Sequence, residues 1–403
     1  MIPGIDGLRA IAVLALLAFH VNGYDFGFGW QGVQFFFVLS GFLITGILLR
    51  MKETLPVKQY FYKFYGRRFL RIFPIYYFYL LILTITLWQG DLLPLKPLRD
   101  ELQNTIRLQL PYAYLYVYDF FFASSAYQAT SFLTHFWSLA VEEQFYIIWP
   151  LILFFTPKGK IKNLFLLTII LGPVFRLITF FVYSNHLFPS LLDNPYLAIY
   201  ALPFSHIDAF AMGAYISQFQ LPNPRKQLIV LACVIPLLGY FTQYLATGIV
   251  DLGTLGYEFK MFTAYKFLWG YSILNYFFAL IIHNVYRSKL FLRVLDHFTL
   301  QYLGKISYGI YVYHVAVIWF IFTVIKGGHA RPLGQSIFIY LIALTLTTII
   351  SSISFHLFEK PISNLRNKLF PIDSGAVTLM QKDGTVLVPE QLDRPGKRPI
   401  SAE

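Results

Sequence analysis

One cysteine in 403 residues leaves no way to build a disulfide framework or a thiolate metal cluster within the chain, so Cys233 reads as an apolar packing residue. Charge is scarce too: Asp, Glu, Lys and Arg make up 13% of the chain, against 57% hydrophobic and 19% aromatic residues. So few charges cannot cover a water-exposed surface, which argues against a soluble enzyme or a nucleic-acid-binding domain. A repeat of readable period is missing, and with it any sign of a solenoid or propeller. No Lys or Arg precedes the first apolar run, Arg9 lies inside it, and no small-residue cleavage site follows. The start of the chain is therefore expected to persist as a helix rather than act as a cleaved signal.

What is present is a series of long apolar runs. Ile72–Gly90 and Gln227–Val250 carry no charge, and Ile306–Ile325 carries only His314. A hydrocarbon layer roughly 30 Å thick needs about 20 such residues per helix. The pattern predicts an all-α, polytopic membrane helix bundle of about ten spans, near residues 7–22, 31–50, 72–90, 136–156, 162–184, 200–219, 227–246, 264–284, 306–325 and 335–357. Residues 91–135 read as an outer segment, interfacial or partly re-entrant, broken by Pro111. The bundle domain extends over 1–370, and 371–403 reads as a flexible polar tail.

The net charge of +12 is distributed unevenly. With the N-terminus inside, the inner segments hold 23 of the 32 Lys and Arg, and the outer segments hold six: Lys96, Arg99, Arg107, Lys260, Lys326 and Arg331. The excess therefore marks a cytoplasmic face rather than a nucleic-acid site, in a multi-pass protein of the cytoplasmic (inner) membrane with both termini inside.

Ionisable residues within the spans are the candidates for chemistry, because each is costly in lipid. Arg9 and His20 stand eleven residues apart, about 16 Å of helical rise but only about 20° of rotation, and so share a face. The plainer reading is a snorkelling arginine and a satisfied core histidine. Arg67, Arg68 and Arg71 precede the third span. Guanidinium forks suit phosphate, although topology and anionic lipids also call for basic residues there. Glu142 and Glu143 open the fourth span, either as a hydrated pair at a helix N-terminus or as an orienting carboxylate for His20. Arg176 and Asp208, on consecutive spans, read as a structural ion pair. His314 lines a tunnel or is a core histidine bonded to tyrosine.

These residues occur in recognisable blocks. Gly7-Leu8-Arg9-Ala10 with Phe19-His20, Gly32 through Thr45, Arg67-Arg68-Phe69-Leu70-Arg71-Ile72-Phe73-Pro74, Phe136 through Tyr146, Leu303 through Tyr311 with His314, and Phe358-Glu359-Lys360-Pro361 stand in one order. Together they resemble the acyltransferase 3 family over about residues 4–370. Two positions depart from its pattern: Gln34 stands where many members carry Asp, and His206 where Arg is expected. The resemblance is to the single-module type, without a C-terminal hydrolase-like domain, acting alone or with a separate glycan-processing partner.

The resemblance implies a membrane O-acyltransferase that moves an acyl group, acetyl by the family's commonest choice, from cytoplasmic acyl-CoA to a hydroxyl of a carbohydrate or lipid-linked glycan outside. It implies Arg67, Arg68 and Arg71 as the acyl-CoA phosphate site, with His314 along the donor path and no metal. His20 acts as base or acyl carrier, oriented by Glu143, and Arg9 or other bundle donors stabilise developing charge. The rival is a secondary transporter, which uses the same intramembrane residue types, but the blocks of residues 7–45 have no counterpart in the second half. The charge bias generates a test: topology reporters fused after Phe26 and after Leu192 should both read as outside, and a cytoplasmic reading of either overturns the ten-span map.

Overall fold

Backbone N–H and C=O groups in lipid have only each other as partners, so uncharged apolar runs in this chain close into helices. The computed structural model describes residues 2–89, 96–188, 190, 194–325 and 332–371. The principal helices are α1 Ile5–Asn22, α2 Gly32–Thr54, α3 Val57–Trp88, α4 Phe136–Phe155, α5 Ile161–Ser184, α6 Pro195–Ala201, α7 Ile207–Gln218, α8 Pro224–Thr247, α9 Lys266–Ser288, α10 Ser307–Ile325, α11 Leu333–Ser354 and α12 Lys360–Leu369. Among the described residues nine helices are long and apolar enough to cross a membrane, and a bent pair makes up to ten. The chain is an all-α polytopic bundle, as its hydropathy predicts. The expected polar tail lies, apart from Pro371, outside the described residues.

The bent pair is the sixth expected span, in which α6 and the segment Pro203–Gln218 meet at 70°. Pro203 has no N–H to donate and pushes Leu202 into extended backbone, with ψ of 140°, which ends α6. Arg176 of α5 repairs the break. Its Nη1 donates to the Ser205 carbonyl at 2.6 Å and to Asp208 Oδ1 at 3.1 Å, while Nη2 donates to Asp208 Oδ2 at 2.9 Å and Ser272 Oγ at 2.6 Å. Both charged side chains are fully buried. Gly172, one turn before Arg176, makes the approach feasible, since a Cβ there would lie 2.6 Å from that of Asp208.

Helix α2 runs through the centre, buried along most of its length, and α7 lies directly against it. A Cβ at Gly41 would lie 2.0 Å from the Phe210 carbonyl oxygen, and one at Gly213 would lie 1.9 Å from that of Val38. The two helices thus touch backbone to backbone, the contact that small residues permit in membranes. At the periphery α8 is largely exposed, and Cys233 sits on its open face rather than in packing.

One stretch departs from the sequence reading, and a second gives it detail. Residues 57–71, expected as an inner loop, form the first half of α3, whose 32 residues give about 48 Å of helix, well beyond roughly 30 Å of hydrocarbon. The part of 91–135 that is described folds back into the bundle as short helices: Tyr76 Oη donates to the Ala113 carbonyl at 2.7 Å and Tyr77 Oη to that of Tyr114 at 3.0 Å. The ring of Tyr116 stacks on Tyr76, with centroids 4.2 Å apart.

The backbone contact between α2 and α7 leaves no room for a side chain. Gly213→Val is expected to cost roughly 1–3 kcal/mol or more, as overpacking does, read as a lower unfolding midpoint of the detergent-solubilised protein. An unchanged midpoint would mean that the helices are further apart.

Candidate active site

Around α2, at the end of the bundle where α3 begins, lies a cavity of about 420 Å³. Helix α2 presents Val33, Phe36, Phe37, Ser40, Leu43 and Ile44 to it, positions that recur on one face at helical spacing. The other walls come from α1, α3, α4, α10 and the last turns leading into α12. Five cations face this space, Arg9, Arg68, Arg71, Lys305 and Arg366, against three carboxylates, Asp6, Glu142 and Glu359. One pair is closed internally: Arg9 Nη1 lies 3.3 Å from Asp6 Oδ1. The Arg68 guanidinium lies over the Tyr146 ring at 5.0 Å, which fixes its plane without neutralising it. The excess of positive charge and the forked donors suit a polyanion with an apolar arm.

The three arginines of α3 separate. Arg68 and Arg71, related by i, i+3 spacing, line the cavity. Arg67 does not. It donates to the Phe370 carbonyl at 2.7 Å and to Asn367 Oδ1 at 3.3 Å, which holds the end of α12 against α3. Arg366 of α12 and Lys305, which sequence reasoning did not single out, complete the ring of cations.

The carboxylates separate as well. Adjacent helical residues point about 100° apart, and it is Glu142 that faces the cavity, accepting hydrogen bonds from Ser40 Oγ and Tyr146 Oη. Glu143 is buried, its Oε1 has no partner among the described residues, and no hydrogen bond joins it to His20.

His20 lies outside the cavity lining, about three turns along α1 from Arg9. Its Nδ1 lies 3.0 Å from the Leu16 carbonyl oxygen and 3.3 Å from Nε2 of His314, whose own Nδ1 lies 2.6 Å from the Tyr311 carbonyl oxygen. A third histidine, His135, completes the cluster: its ring centroid is 5.2 Å from that of His314, and its Nε2 is 3.1 Å from the Val312 carbonyl oxygen. Ser138 Oγ and Tyr311 Oη each lie 3.1 Å from the backbone carbonyl oxygen of His135 and within hydrogen-bonding distance of each other, so their two hydrogens serve three contacts. Ser138 and Tyr311 line the cavity, so a continuous polar wall runs from the cavity to His20. Among the described residues no group of three or more His, Cys, Asp or Glu is arranged to hold a metal ion.

Gln34 and His206, the two departures from the family pattern, meet each other. Gln34 Nε2 donates to His206 Nδ1 at 3.1 Å, and His206 Nε2 donates to the Tyr200 carbonyl at 2.9 Å. Both side chains are buried. An amide and an imidazole thus meet where the sequence pattern led to an expectation of Asp and Arg.

Comparison with known proteins shows the family. A family profile described as an acyltransferase domain, acyltransferase 3, matches residues 2–356. The chain is similar to O-acetyltransferase OatA of Staphylococcus aureus strain NCTC 8325, at 27% identity over 98% of this chain and 64% of that protein. It resembles OatA of strain MRSA252 at 28% identity, over 92% of this chain and 58% of the relative. The Bacillus subtilis protein YrhL, named as a proposed peptidoglycan O-acetyltransferase, is 28% identical over 90% of this chain and 55% of its own length. The chain thus spans less than two thirds of the length of these relatives. No solved structure gives a significant match.

Proposed function

We propose that this chain, which belongs to the acyltransferase 3 family, is a membrane O-acyltransferase that takes an acetyl group from acyl-CoA at the cytoplasmic end of the bundle and delivers it to a glycan hydroxyl at the other end. The names of the relatives support acetyl as the group and, for YrhL, peptidoglycan as an acceptor. The charge bias supports a cytoplasmic-membrane location with both termini inside.

The observation that carries this reading is the cavity, in which five cations surround one mouth and apolar residues of α2 line the way inward. Arg68, Arg71, Lys305 and Arg366 hold the phosphates of the nucleotide end. Arg9 belongs with them rather than with His20, because it is held at the cavity by Asp6. The pantetheine arm runs along Phe36, Leu39 and Leu43 towards the Ser138–Tyr311 hydroxyl pair. The acceptor hydroxyl approaches His20 from the opposite side. His20 takes its proton as the oxygen attacks the acyl carbon, the carbon–sulfur bond breaks, and the proton finally reaches the CoA sulfur. Carriage of the acyl group on the imidazole for part of the journey is the covalent version of the same route. His314, expected on the donor path, instead belongs to the His20 cluster.

Two measurements test the reading. Arg68→Ala and Arg71→Ala should weaken acetyl-CoA binding to the purified protein with a strong salt dependence, because the lost contacts are charge-assisted ones to phosphate. Arg67→Ala, facing α12, should bind as wild type. Equal affinity in all three variants would return the arginines to a topological role.

His20→Gln keeps a hydrogen-bonding side chain but cannot accept a proton, so acetyl-CoA turnover should fall roughly 10²-fold or more while acetyl-CoA still binds. Turnover near the wild-type rate would remove His20 from the mechanism.

A further inference from the structure

The base proposed above has a neighbour with no assigned part in the chemistry, and the hydrogen bonds around the two rings determine where their protons sit. His314 Nδ1 lies 2.6 Å from the Tyr311 carbonyl oxygen, so this nitrogen carries the hydrogen and donates it. The neutral ring then holds its lone pair on Nε2, and this atom lies 3.3 Å from His20 Nδ1. His20 Nδ1 also faces the Leu16 carbonyl oxygen at 3.0 Å. Two acceptors converge on one nitrogen, so His20 must be the Nδ1–H tautomer. Its second nitrogen, Nε2, keeps a free lone pair and has no hydrogen-bond partner among the described residues, and the side chain is only half buried.

We infer that His314 is the positioning residue of His20: an uncharged acceptor, oriented by the Tyr311 carbonyl, that holds the His20 ring with Nε2 presented to the acceptor hydroxyl. In a hydrolase triad a carboxylate takes this place. The inference rests on the reading of His20 as the base. When His20 Nε2 takes the proton of the acceptor hydroxyl, the ring becomes an imidazolium and its Nδ1–H bond to His314 becomes charge-assisted. The oxygen–hydrogen bond breaks and the oxygen–acyl bond forms. The electron pair of the carbon–sulfur bond leaves on CoA. His314 touches neither substrate and changes no bond, acting only through the ring that it orients. Leu16 supplies the same tautomer preference but belongs to the same helix as His20, four residues earlier, whereas His314 comes from α10 and so fixes the ring relative to the rest of the bundle.

The test measures kcat and KM for acetyl-CoA, as free CoA released by the full-length purified protein supplied with muropeptides. Unfolding midpoints are recorded alongside. His314→Phe keeps an aromatic side chain and loses the acceptor. It should lower kcat about tenfold or more at unchanged KM. His314→Gln keeps an acceptor and should recover most of the loss. The double variant His20→Gln/His314→Phe should be no slower than His20→Gln alone, because His314 acts only through His20. If His314→Phe does not fold, His314→Met supplies the side chain without a competent acceptor. Wild-type kcat in His314→Phe overturns the inference, and so does an equal loss in the Phe and Gln variants accompanied by a lower midpoint. If His20→Gln itself turns over at the wild-type rate, the base reading fails and this one with it. If only the His314 variants are active, the base stands and the positioning role falls.

Discussion

The bundle is organised by the cost of leaving a charge unmatched in hydrocarbon, at least a few kcal/mol for each ionisable side chain at the bilayer centre. Two solutions occur side by side. In the first, charges are closed off in pairs. Arg176 and Asp208 satisfy each other, a broken backbone and Ser272, while Lys266 Nζ donates to Glu258 Oε2 at 3.0 Å, the Gly256 carbonyl at 2.5 Å and Thr263 Oγ1 at 2.8 Å. Sets so largely closed, with Arg176 Nε the one guanidinium nitrogen left without a partner among the described residues, hold bends and loops. In the second, charges are gathered around one space without being balanced, as at the α2 cavity. A residue's satisfaction, more than its burial, therefore separates scaffold from site.

That distinction explains how far the sequence could be read. Span positions were legible because hydropathy acts locally: nine of the expected crossings are single long helices and the sixth is the bent pair. The break itself was not legible as a bend, because Pro203 alone does not reveal that Arg176 waits on the preceding helix to accept the freed carbonyl of Ser205. Arg9 and His20 were conspicuous as ionisable residues in an apolar run, and Arg68 and Arg71 as arginines ahead of the third span; of these, Arg9, Arg68 and Arg71 line the cavity and His20 does not. Arg67 was grouped with Arg68 and Arg71 because three arginines in five residues look alike in sequence, while what its face of α3 meets is the end of α12, some 300 residues away.

The choice between Glu142 and Glu143 failed for a related reason. Each shares a face with something, and only the position of Ser40 on α2 shows which face is the cavity. His135 was missed because it precedes α4 and falls outside any apolar run, although its spacing of three from Ser138 was available as a signal. Gln34 and His206 were each visible as departures, but nothing one-dimensional indicated that residues 172 positions apart would bond. A broken helix near the middle of a span is also a device of transporters. Here its loose end is met by a guanidinium rather than left facing a cavity.

The polar wall between the cavity and His20 has a further consequence. The hydroxyls of Ser138 and Tyr311 lie against the same carbonyl and against each other, and three imidazoles stand behind them, so packed side chains close the inner end of the cavity. A cytoplasmic membrane stores energy as an ion gradient, worth about 2.3 kcal/mol per charge for each 100 mV. A protein with chemistry reaching towards both faces threatens that store whenever its two ends share a water column. On the two-sided reaction proposed above, the wall serves as electrical insulation between a solvated mouth and a reactive ring, and it has to admit the acyl group without admitting a water column.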